Sequence, residues 1–451
     1  MDYLLPPSVQ DWLPESHLAR YVVDVVEGLD LSELERAYGG RGSEAYHPAL
    51  LLSLLIYGYA TGTHSSRKIE RATYDSLAFR FIACDQHPDH DTLANFRRRF
   101  GAQFAAIFVQ VLQVACENQL SRFGTVSLDG TKIHANASRH SALSYGHAEK
   151  IEAQLKAEVQ ELLAQELLAL AEAADTSAIP DGVNLPDEIK RREDRLTAIA
   201  RAKATIEARA QARHAHEQAE YQAKLAKREA KQQASGKKPG GKPPAPPTAG
   251  PRAEDQINLT DEDSRIMKVA GGGFEQCYNA QAAVDCESML IVAPTLTRAA
   301  NDKEQITPTL AVLQALPEGL RPDRLLADTG YFSAANVDAC HAAEITPLIA
   351  VGRDGHHPAW RERFEEPAPL AEPASQVEQM KHTLKTQAGR AAYAQRKQTV
   401  EPVFGIIKSV QGFRQFLLRG LAQASHEWTL VCLAWNLKRM AVLHPKSVPM
   451  A

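Results

Sequence analysis

Apolar residues in the first 120 positions recur at intervals of three and four. One such stripe begins just after Ser16, a residue suited to cap a helix, and a second begins just after Pro48, a residue favoured in the first turn. The two stripes consist of Leu18, Val22, Val25, Val26 and Leu29, and of Leu51, Leu52, Leu55 and Tyr59. This spacing predicts a set of amphipathic helices at the start of the chain.

A further short helix is predicted over residues 93–100. Its apolar side consists of Leu93, Phe96 and Phe100, and it contains three consecutive arginines, Arg97, Arg98 and Arg99. An arginine-rich helix in a small helical module suits contact with DNA phosphates. The alternative is an ordinary solvated helix face.

The periodicity changes to alternation after Gly124. Residues 124–135 read as two alternating segments around Asp129-Gly130, which predicts a β-hairpin. Further strands are predicted at 277–285, 289–294, 324–327 and 345–351, with helices at about 303–316, 333–343, 389–410 and 425–443. Asn301 and Asp302 could support a site, but we favour a role as the cap of the helix that starts near Lys303. Mixed strands and helices in this order predict an α/β fold.

Residues 147–255 interrupt this α/β pattern. Apolar residues keep helical and then heptad-like spacing as far as Ile206, and residues 207–233 are almost all alanine or polar. Residues 235–251 are rich in proline, glycine and lysine. The segment is therefore predicted to be an inserted helical arm, coiled-coil-like, followed by a flexible or polyproline-like linker.

Composition narrows the class of protein. The chain has 451 residues, of which 44% are apolar, so we expect more than one domain. The longest apolar stretch, residues 49–60, is too short to span a bilayer, and the N-terminus lacks a secretory signal pattern, so we expect a cytoplasmic protein. Six scattered cysteines without a C-x-x-C pair predict neither a disulfide framework nor a zinc site.

Charge is unevenly distributed. The net charge is −4, yet from Lys381 to the end eleven lysines and arginines face only two acids, Glu401 and Glu427. A basic C-terminal segment on a slightly acidic chain indicates contact with nucleic acid.

Two aspartates are candidates for chemistry. Asp129 and Asp328 each follow an apolar strand segment and precede a glycine within two residues. Such positions expose a carboxylate at the C-terminal edge of a sheet, where α/β sites form. Each alone is more often a plain turn, but the pair favours a site.

Glu401 is the third candidate. On a helix, Tyr393, Lys397, Glu401 and Lys408 share one face, although Pro402 disfavours helix at Glu401. The alternatives are a surface Lys397–Glu401 pair, or a third acid drawn from Asp354, Glu365 and Glu366. We favour Glu401 because the apolar residues that follow it can anchor it to the core. Three carboxylates beside a basic surface suit Mg²⁺ or Mn²⁺ and phosphodiester chemistry.

The chain resembles the DDE transposases of bacterial insertion sequences, in the long subclass with a helical insertion in the catalytic domain. The motifs that carry the resemblance follow one another from about residue 5 to 440: His47-Pro48 with Asp91-Thr-Leu-Ala-Asn-Phe-Arg97, Leu128-Asp129-Gly130-Thr131-Lys132-Ile133, Tyr278-Asn279-Ala280-Gln281, Ala327-Asp328-Thr329-Gly330-Tyr331, and Glu401 to Lys408. Related families carry Tyr, Arg, Glu and Lys at positions 1, 4, 8 and 15 of a helix. Glu401 and Lys408 keep that spacing, Tyr393 is one residue early, and Lys397 takes the arginine position next to Arg396.

The resemblance implies a fold and a division into domains. It implies an RNase H-like α/β catalytic core with an N-terminal all-helical domain and an inserted arm. The implied domains are a DNA-binding domain at 1–120, a catalytic domain at 121–146 and 256–445, and the arm with its linker at 147–255.

The resemblance also implies the activity. The chain would bind insertion-sequence ends and catalyse strand cleavage and strand transfer, by hydrolysis and transesterification. Asp129, Asp328 and Glu401 would be the catalytic triad that binds Mg²⁺, for which Mn²⁺ can substitute. The implied DNA-binding residues are Arg97, Arg98, Arg99, Tyr393, Arg396, Lys397 and Lys408.

The expected partners are element-end and target DNA, on which the chain would form a homodimer or larger homo-oligomer, associated with the nucleoid and not with a membrane. Two alternatives stay open. One is an RNase H-fold nuclease that only hydrolyses DNA, and the other is a catalytically decayed DNA-binding protein.

Overall fold

The structure is a computed structural model. It describes residues 9–37, 46–171, 184–236, 240–241, 243–352, 365–370 and 373–444. The chain divides into two compact units. We call Met1–Asn136 with Arg265–Ala451 the main unit, and residues 137–264 the arm unit.

The N-terminal part of the main unit is helical, as its apolar spacing predicts. Its helices are α1 (Val9–Trp12), α2 (Leu18–Glu27), α3 (Ser32–Arg36), α4 (Pro48–Thr61), α5 (Ser66–Asp75), α6 (Leu77–Ile82), α7 (His90–Arg99) and α8 (Phe104–Glu117). Helix α2 is capped by His17 and not by Ser16, since Nδ1 of His17 accepts a hydrogen bond from the Ala19 amide at 3.1 Å. Helix α4 is buried from residue 51 to residue 60, as expected for a helix that is apolar on all sides.

The strands of the described residues follow α8 in chain order. They are β1 (Thr125–His134), β2 (Ala142–Ser144), β3 (Gln256–Asn258), β4 (Arg265–Lys268), β5 (Phe274–Asp285), β6 (Ile291–Thr297), β7 (Arg324–Ala327) and β8 (Thr346–Ile349). In the main unit the order across the sheet is β4-β5-β1-β7-β8, and β6 also pairs with β5. Strand β1 is antiparallel to β5 and parallel to β7, and β7 is parallel to β8. The prediction of a mixed α/β fold is confirmed.

The predicted hairpin at Asp129-Gly130 is wrong. Strand β1 runs straight through both residues, and it pairs with β5 from Val126, opposite Asp285, to His134, opposite Cys277. Neither Asp129 nor Gly130 has the positive φ that a tight hairpin turn requires. The partners of β1 come from distant parts of the chain, so local turn residues do not decide the fold here.

Further helices of the main unit follow β6 in the described part of the chain. They are α11 (Ile306–Ala315), α12 (Ala334–Ala342), α13 (Gln376–Lys385), α14 (Gln387–Ser409) and α15 (Leu421–Leu443). Helix α14 continues through Pro402, contrary to the expectation from its sequence. Pro402 is exposed, and the buried residues Val403, Phe404 and Ile407 hold the helix against the core. Tertiary packing therefore outweighs the loss of one backbone hydrogen bond.

The arm unit consists mainly of two long helices, α9 (Tyr145–Ala171) and α10 (Leu185–Ser235), and the two-stranded sheet of β2 and β3. Its core consists of Leu143, Ala148, Leu155, Ile199, Ala202, Ile206 and Ile257. Ion pairs of Lys203 with Glu152 at 2.8 Å and of Arg192 with Glu158 at 2.9 Å join the helices. In the described part of α10 beyond Ala210, no side chain is buried.

Within the described residues, no single helix is long and apolar enough to cross a membrane. The helical pair His90–Arg99 and Gly101–Glu117 meets the length and composition criteria only jointly, and it is bent by 58°.

A buried polar network links the N-terminal helices of the main unit to α15. Arg97 donates a hydrogen bond to the hydroxyl of Tyr59 at 2.6 Å, and that hydroxyl donates one to Glu427 Oε1 at 2.5 Å. The guanidinium of Arg97 lies 3.6 Å from the same carboxylate oxygen, and the residue is 5% exposed. The expectation that Arg97 contacts DNA is therefore wrong, because Arg97 lies four residues after Leu93 on the buried stripe of α7.

We expect Arg97→Leu to lower the free energy of unfolding by about 3–5 kcal/mol, because it leaves the buried carboxylate of Glu427 without its cation. Arg98→Leu is the matched control, since the neighbouring Arg98 is exposed and bonds only within its own helix. Urea unfolding of both variants measures the difference. Equal stability of the two variants would show that the buried pair contributes nothing.

Candidate active site

Asp129 and Asp328 lie at the same level of the sheet. Strand β1 pairs with β7 from Thr125, opposite Arg324, to Ser127, opposite Leu326. When that register is continued by two residues, Asp129 comes opposite Asp328, the first residue after β7. The C-terminal ends of parallel strands meet at one edge, so the structure brings these two predicted acids together.

Burial of Asp129 disfavours the charged form of its carboxylate. Its Oδ1 accepts a hydrogen bond from the Gly130 amide at 2.7 Å, and its Oδ2 accepts one from Arg396 at 3.4 Å. Burial raises the pKa of Asp129 to about 6, against the lowering effects of that amide and of Arg396, and the charges of Asp328 and Asp302 add to the rise. The edge of the sheet therefore concentrates negative charge, which favours a bound cation.

Asp328 ends strand β7 and starts a short helical turn, Thr329–Tyr331. Its Oδ1 accepts a hydrogen bond from the Gly330 amide at 2.8 Å, and the side chain is half-buried. A Cβ atom at residue 330 would lie 3.0 Å from that oxygen, so glycine suits the close approach of the chain to the carboxylate.

The guanidinium of Arg396 lies between Asp129 and Glu401. One of its nitrogens is 3.4 Å from Asp129 Oδ2 and another is 3.6 Å from Glu401 Oε1. Arg396 is 9% exposed, whereas the Glu401 side chain is 54% exposed. Glu401 thus pairs with Arg396, and the alternative, a surface pair with Lys397, is not seen in the described part of the chain.

The spacing of Tyr393, Arg396 and Glu401 determines which of these side chains face the candidate site. Tyr393 and Arg396, three residues apart, both face the candidate site, since Tyr393 donates a hydrogen bond to the Ala327 carbonyl at 3.3 Å. Four residues after Arg396 on the same face is Val400, which is buried. Glu401 lies one residue further on and is turned partly toward solvent.

The remaining predicted DNA-binding residues lie in different surroundings. The ammonium of Lys408 donates to Thr131 Oγ1 and, at 2.9 Å, to the Lys132 carbonyl, so it ties α14 to β1. Burial lowers the pKa of Lys408. Lys397, Arg98 and Arg99 are exposed.

The alternatives for the third acid do not reach Asp129 through any described contact. Glu366 accepts a hydrogen bond from the Gln387 amide at 2.6 Å, at the start of α14, and Glu365 is exposed. Asp354 lies outside the described residues.

Two comparisons with protein families bear on this chain. Residues 7–99 match the family model described as Transposase domain (DUF772), and residues 370–441 match the one described as Transposase DDE domain. The matches support a DDE transposase of the insertion-sequence type. The second match includes Arg396 and Glu401, whereas Asp129 and Asp328 lie between the two matches. No curated protein sequence and no solved structure matches the chain.

Asp302 belongs to the surroundings of this site and does not cap a helix. Helix α11 begins at Ile306 after Gln305. Asp302 Oδ1 instead accepts hydrogen bonds from the side-chain amides of Asn279 and Gln281, both at 2.7 Å. A signal was present in the sequence, because these two amides alternate along an otherwise apolar strand and so share one face.

Gly130 makes this arrangement possible. A Cβ atom at residue 130 would lie 2.9 Å from Asn279 Oδ1 and 2.7 Å from Asp302 Oδ1, and closer still to Gln281 Nε2. Only a residue without a side chain therefore fits at this position of β1.

We expect Gly130→Ala to lower the free energy of unfolding of the protein by about 1–3 kcal/mol, through overpacking against the two amides. Gly124→Ala is the control, because a Cβ there meets nothing within 4 Å. Chemical denaturation of both variants tests this expectation. If Gly130→Ala is as stable as Gly124→Ala, the close packing around residue 130 is not rigid.

Proposed function

We propose that the chain binds the ends of an insertion sequence and cleaves and joins DNA strands through a centre of Asp129, Asp328 and Glu401. The observation that carries this proposal is the strand register that sets Asp129 level with Asp328. The contacts of Arg396 with Asp129 and Glu401 support the assignment of α14 to the same centre. The two transposase family matches support a transposase function.

An RNase H-like catalytic core is part of the proposal. Support comes from the central position of β1, with antiparallel β5 and β6 on one side and parallel β7 and β8 on the other. We keep the proposed domains at 1–120, at 121–146 with 256–445, and at 147–255. The compact arm unit, which spans 137–264, supports an insertion within the catalytic domain.

The chemistry of the donor set fits a divalent cation such as Mg²⁺ or Mn²⁺. Asp129, Asp328 and Glu401 offer carboxylate oxygens, the ligands that these hard cations prefer. Among the described residues, no three acidic, histidine or cysteine side chains already converge as a metal site. Arg396 takes the space between Asp129 and Glu401, so closure of the triad around a cation requires that its guanidinium withdraw.

The residues of the chain have distinct tasks in this proposal. Bound cations supply water activation and neutralise the charge that develops on the phosphate oxygens. Asp129 and Asp328 hold them at the edge of the sheet, and Tyr393 fixes the end of β7 through its bond to Ala327. Lys408 fastens α14 to β1 and thereby keeps Glu401 in range.

We expect Asp129→Asn, Asp328→Asn and Glu401→Gln each to reduce metal-dependent nicking of a labelled element end by more than about 100-fold. This loss should exceed the 10- to 100-fold effect of changing a residue that only supports a ligand. Each substitution keeps the shape of the side chain and removes its charge. Binding to the element end should persist, because the helical module is unchanged.

Glu365→Gln is the control for the third acid, since it removes an exposed acid from a segment near α14. If Glu401→Gln nicks DNA at the parental rate while Glu365→Gln is inactive, α14 supplies only a basic surface. Strand transfer is measured with the same labelled end and an unlabelled target. Nicked products without joined products would favour the nuclease, and binding without nicking would favour the decayed protein.

Arg98 and Arg99 are the exposed arginines of α7, and Arg99 also donates a hydrogen bond to the Ala37 carbonyl at 2.7 Å. We expect the double change to glutamine to weaken DNA binding and to reduce the slope of log affinity against log salt by about 0.9 for each phosphate that the variant no longer neutralises. Arg71→Gln is the control, since Arg71 is exposed on α5 and pairs with Asp75 at 3.1 Å. A slope equal to that of the parent would place the DNA on another surface.

A further inference from the structure

We propose that Asp302 is a fourth carboxylate of the catalytic centre, held by the amides of Asn279 and Gln281 so that it binds a divalent cation. The proposal rests on the proposed function, because it adds a ligand to the same centre.

The side chains that hold Asp302 are polar and buried, which costs free energy of folding. Asn279 and Gln281 are completely buried on β5, where apolar side chains would fill the same space without polar groups to satisfy. The amide of each donates to the same oxygen of Asp302, and the hydroxyl of Tyr331 donates to Gln281 Oε1. Three buried polar side chains therefore serve to orient one carboxylate that is 26% exposed.

A buried side-chain oxygen of Asn279 lies beside Asp302. Among the described residues, Asn279 Oδ1 is buried and has no hydrogen-bond partner. It faces the same small space above Gly130 as Asp302 Oδ1, since a Cβ on residue 130 would lie 2.9 Å from the one and 2.7 Å from the other. A buried acceptor oxygen beside a carboxylate is the chemistry that a hard cation satisfies.

Asp302 also lies next to the strand that carries Asp129. Its Oδ1 lies against the backbone of Gly130, the residue after Asp129. The pairing of β1 with β7 ends at Ser127, opposite Leu326, and the next backbone pairing described at that edge is His134 with Gln415, so Asp129 and Gly130 have no paired strand there among the described residues. Groups from both faces of the sheet can therefore reach the space in front of Asp129 and Asp328.

A simpler role for Asp302 is that of counter-ion to Lys132, whose ammonium lies 3.8 Å from Asp302 Oδ1. The two roles predict different results. A metal ligand is needed for cation affinity, and Lys132 competes with the cation. A counter-ion is needed for stability alone.

The test is to titrate the full chain with Mn²⁺ and to measure the affinity. Binding is monitored by calorimetry and by the electron paramagnetic resonance signal of free Mn²⁺. We expect Asp302→Asn to weaken Mn²⁺ binding at least about 10-fold. Asp338→Asn, at an exposed acid of α12, should leave it unchanged. Lys132→Met should preserve or strengthen binding, because the competing cation is gone.

Unchanged Mn²⁺ affinity in a folded Asp302→Asn variant would overturn the proposal, as would loss of affinity in Lys132→Met equal to that in Asp302→Asn. If Asp302→Asn does not fold, metal-directed cleavage of the unmodified protein tests whether Asp302 binds the cation. With Fe²⁺, ascorbate and peroxide, backbone cleavage mapped by mass spectrometry should include residues 299–304 as well as the neighbourhoods of Asp129 and Asp328. Cleavage near those two aspartates without any at 299–304 would count against Asp302.

Asp129→Asn separates this inference from the proposed function. If Asp129→Asn loses Mn²⁺ binding and nicking while Asp302→Asn keeps both, only the role of Asp302 is wrong. If Asp129→Asn keeps both, the proposed centre itself is wrong.

Discussion

The fully buried carboxylate of Glu427 is the constraint on which the arrangement of the main unit depends. One of its oxygens meets Tyr59 and Arg97, and the other accepts the backbone amides of Leu417 and Leu418 at 2.9 and 3.0 Å. A buried charge without such partners would be far too costly to keep. Glu427 therefore holds α4, α7 and the segment before α15 in one relative position.

That position matters for the site because the same segment also contacts the end of β1. The amide of His134 donates to the Arg414 carbonyl at 3.0 Å, and the amide of Phe416 donates to the His134 carbonyl at 2.8 Å. The strand that carries Asp129 is thus connected, through residues 414–418 and Glu427, to the N-terminal helices. A substitution in α7 can consequently disturb the centre without touching it, so any loss of activity there needs a parallel measurement of stability.

Local patterns predict the elements well and the partners of side chains poorly. Apolar spacing was sufficient for α2 and α4, and the helix expected at 333–343 is α12, which Ser333 caps. The hairpin at Asp129-Gly130 and the break at Pro402 were wrong because long-range pairing and packing outweigh local preference. The surroundings of Asp302 depend on contacts with β5, some twenty residues earlier in the chain, which no local periodicity reveals.

The inserted arm also has a consequence for how the sheet can form. His134 of β1 pairs with Cys277 of β5, so the chain must close a loop of about 140 residues. Pairing of Ala142 with Asn258 inside the arm reduces the unpaired part to about 25 residues, which lowers the entropic cost of closure by about 1.5 kcal/mol. The contacts between α9 and α10, such as that of Lys203 with Glu152, join residues closer in the chain than those that β1 and β5 pair, so they should form earlier. The insertion separates the two halves of the catalytic sheet in sequence, yet by folding first it would bring them closer together and favour their pairing.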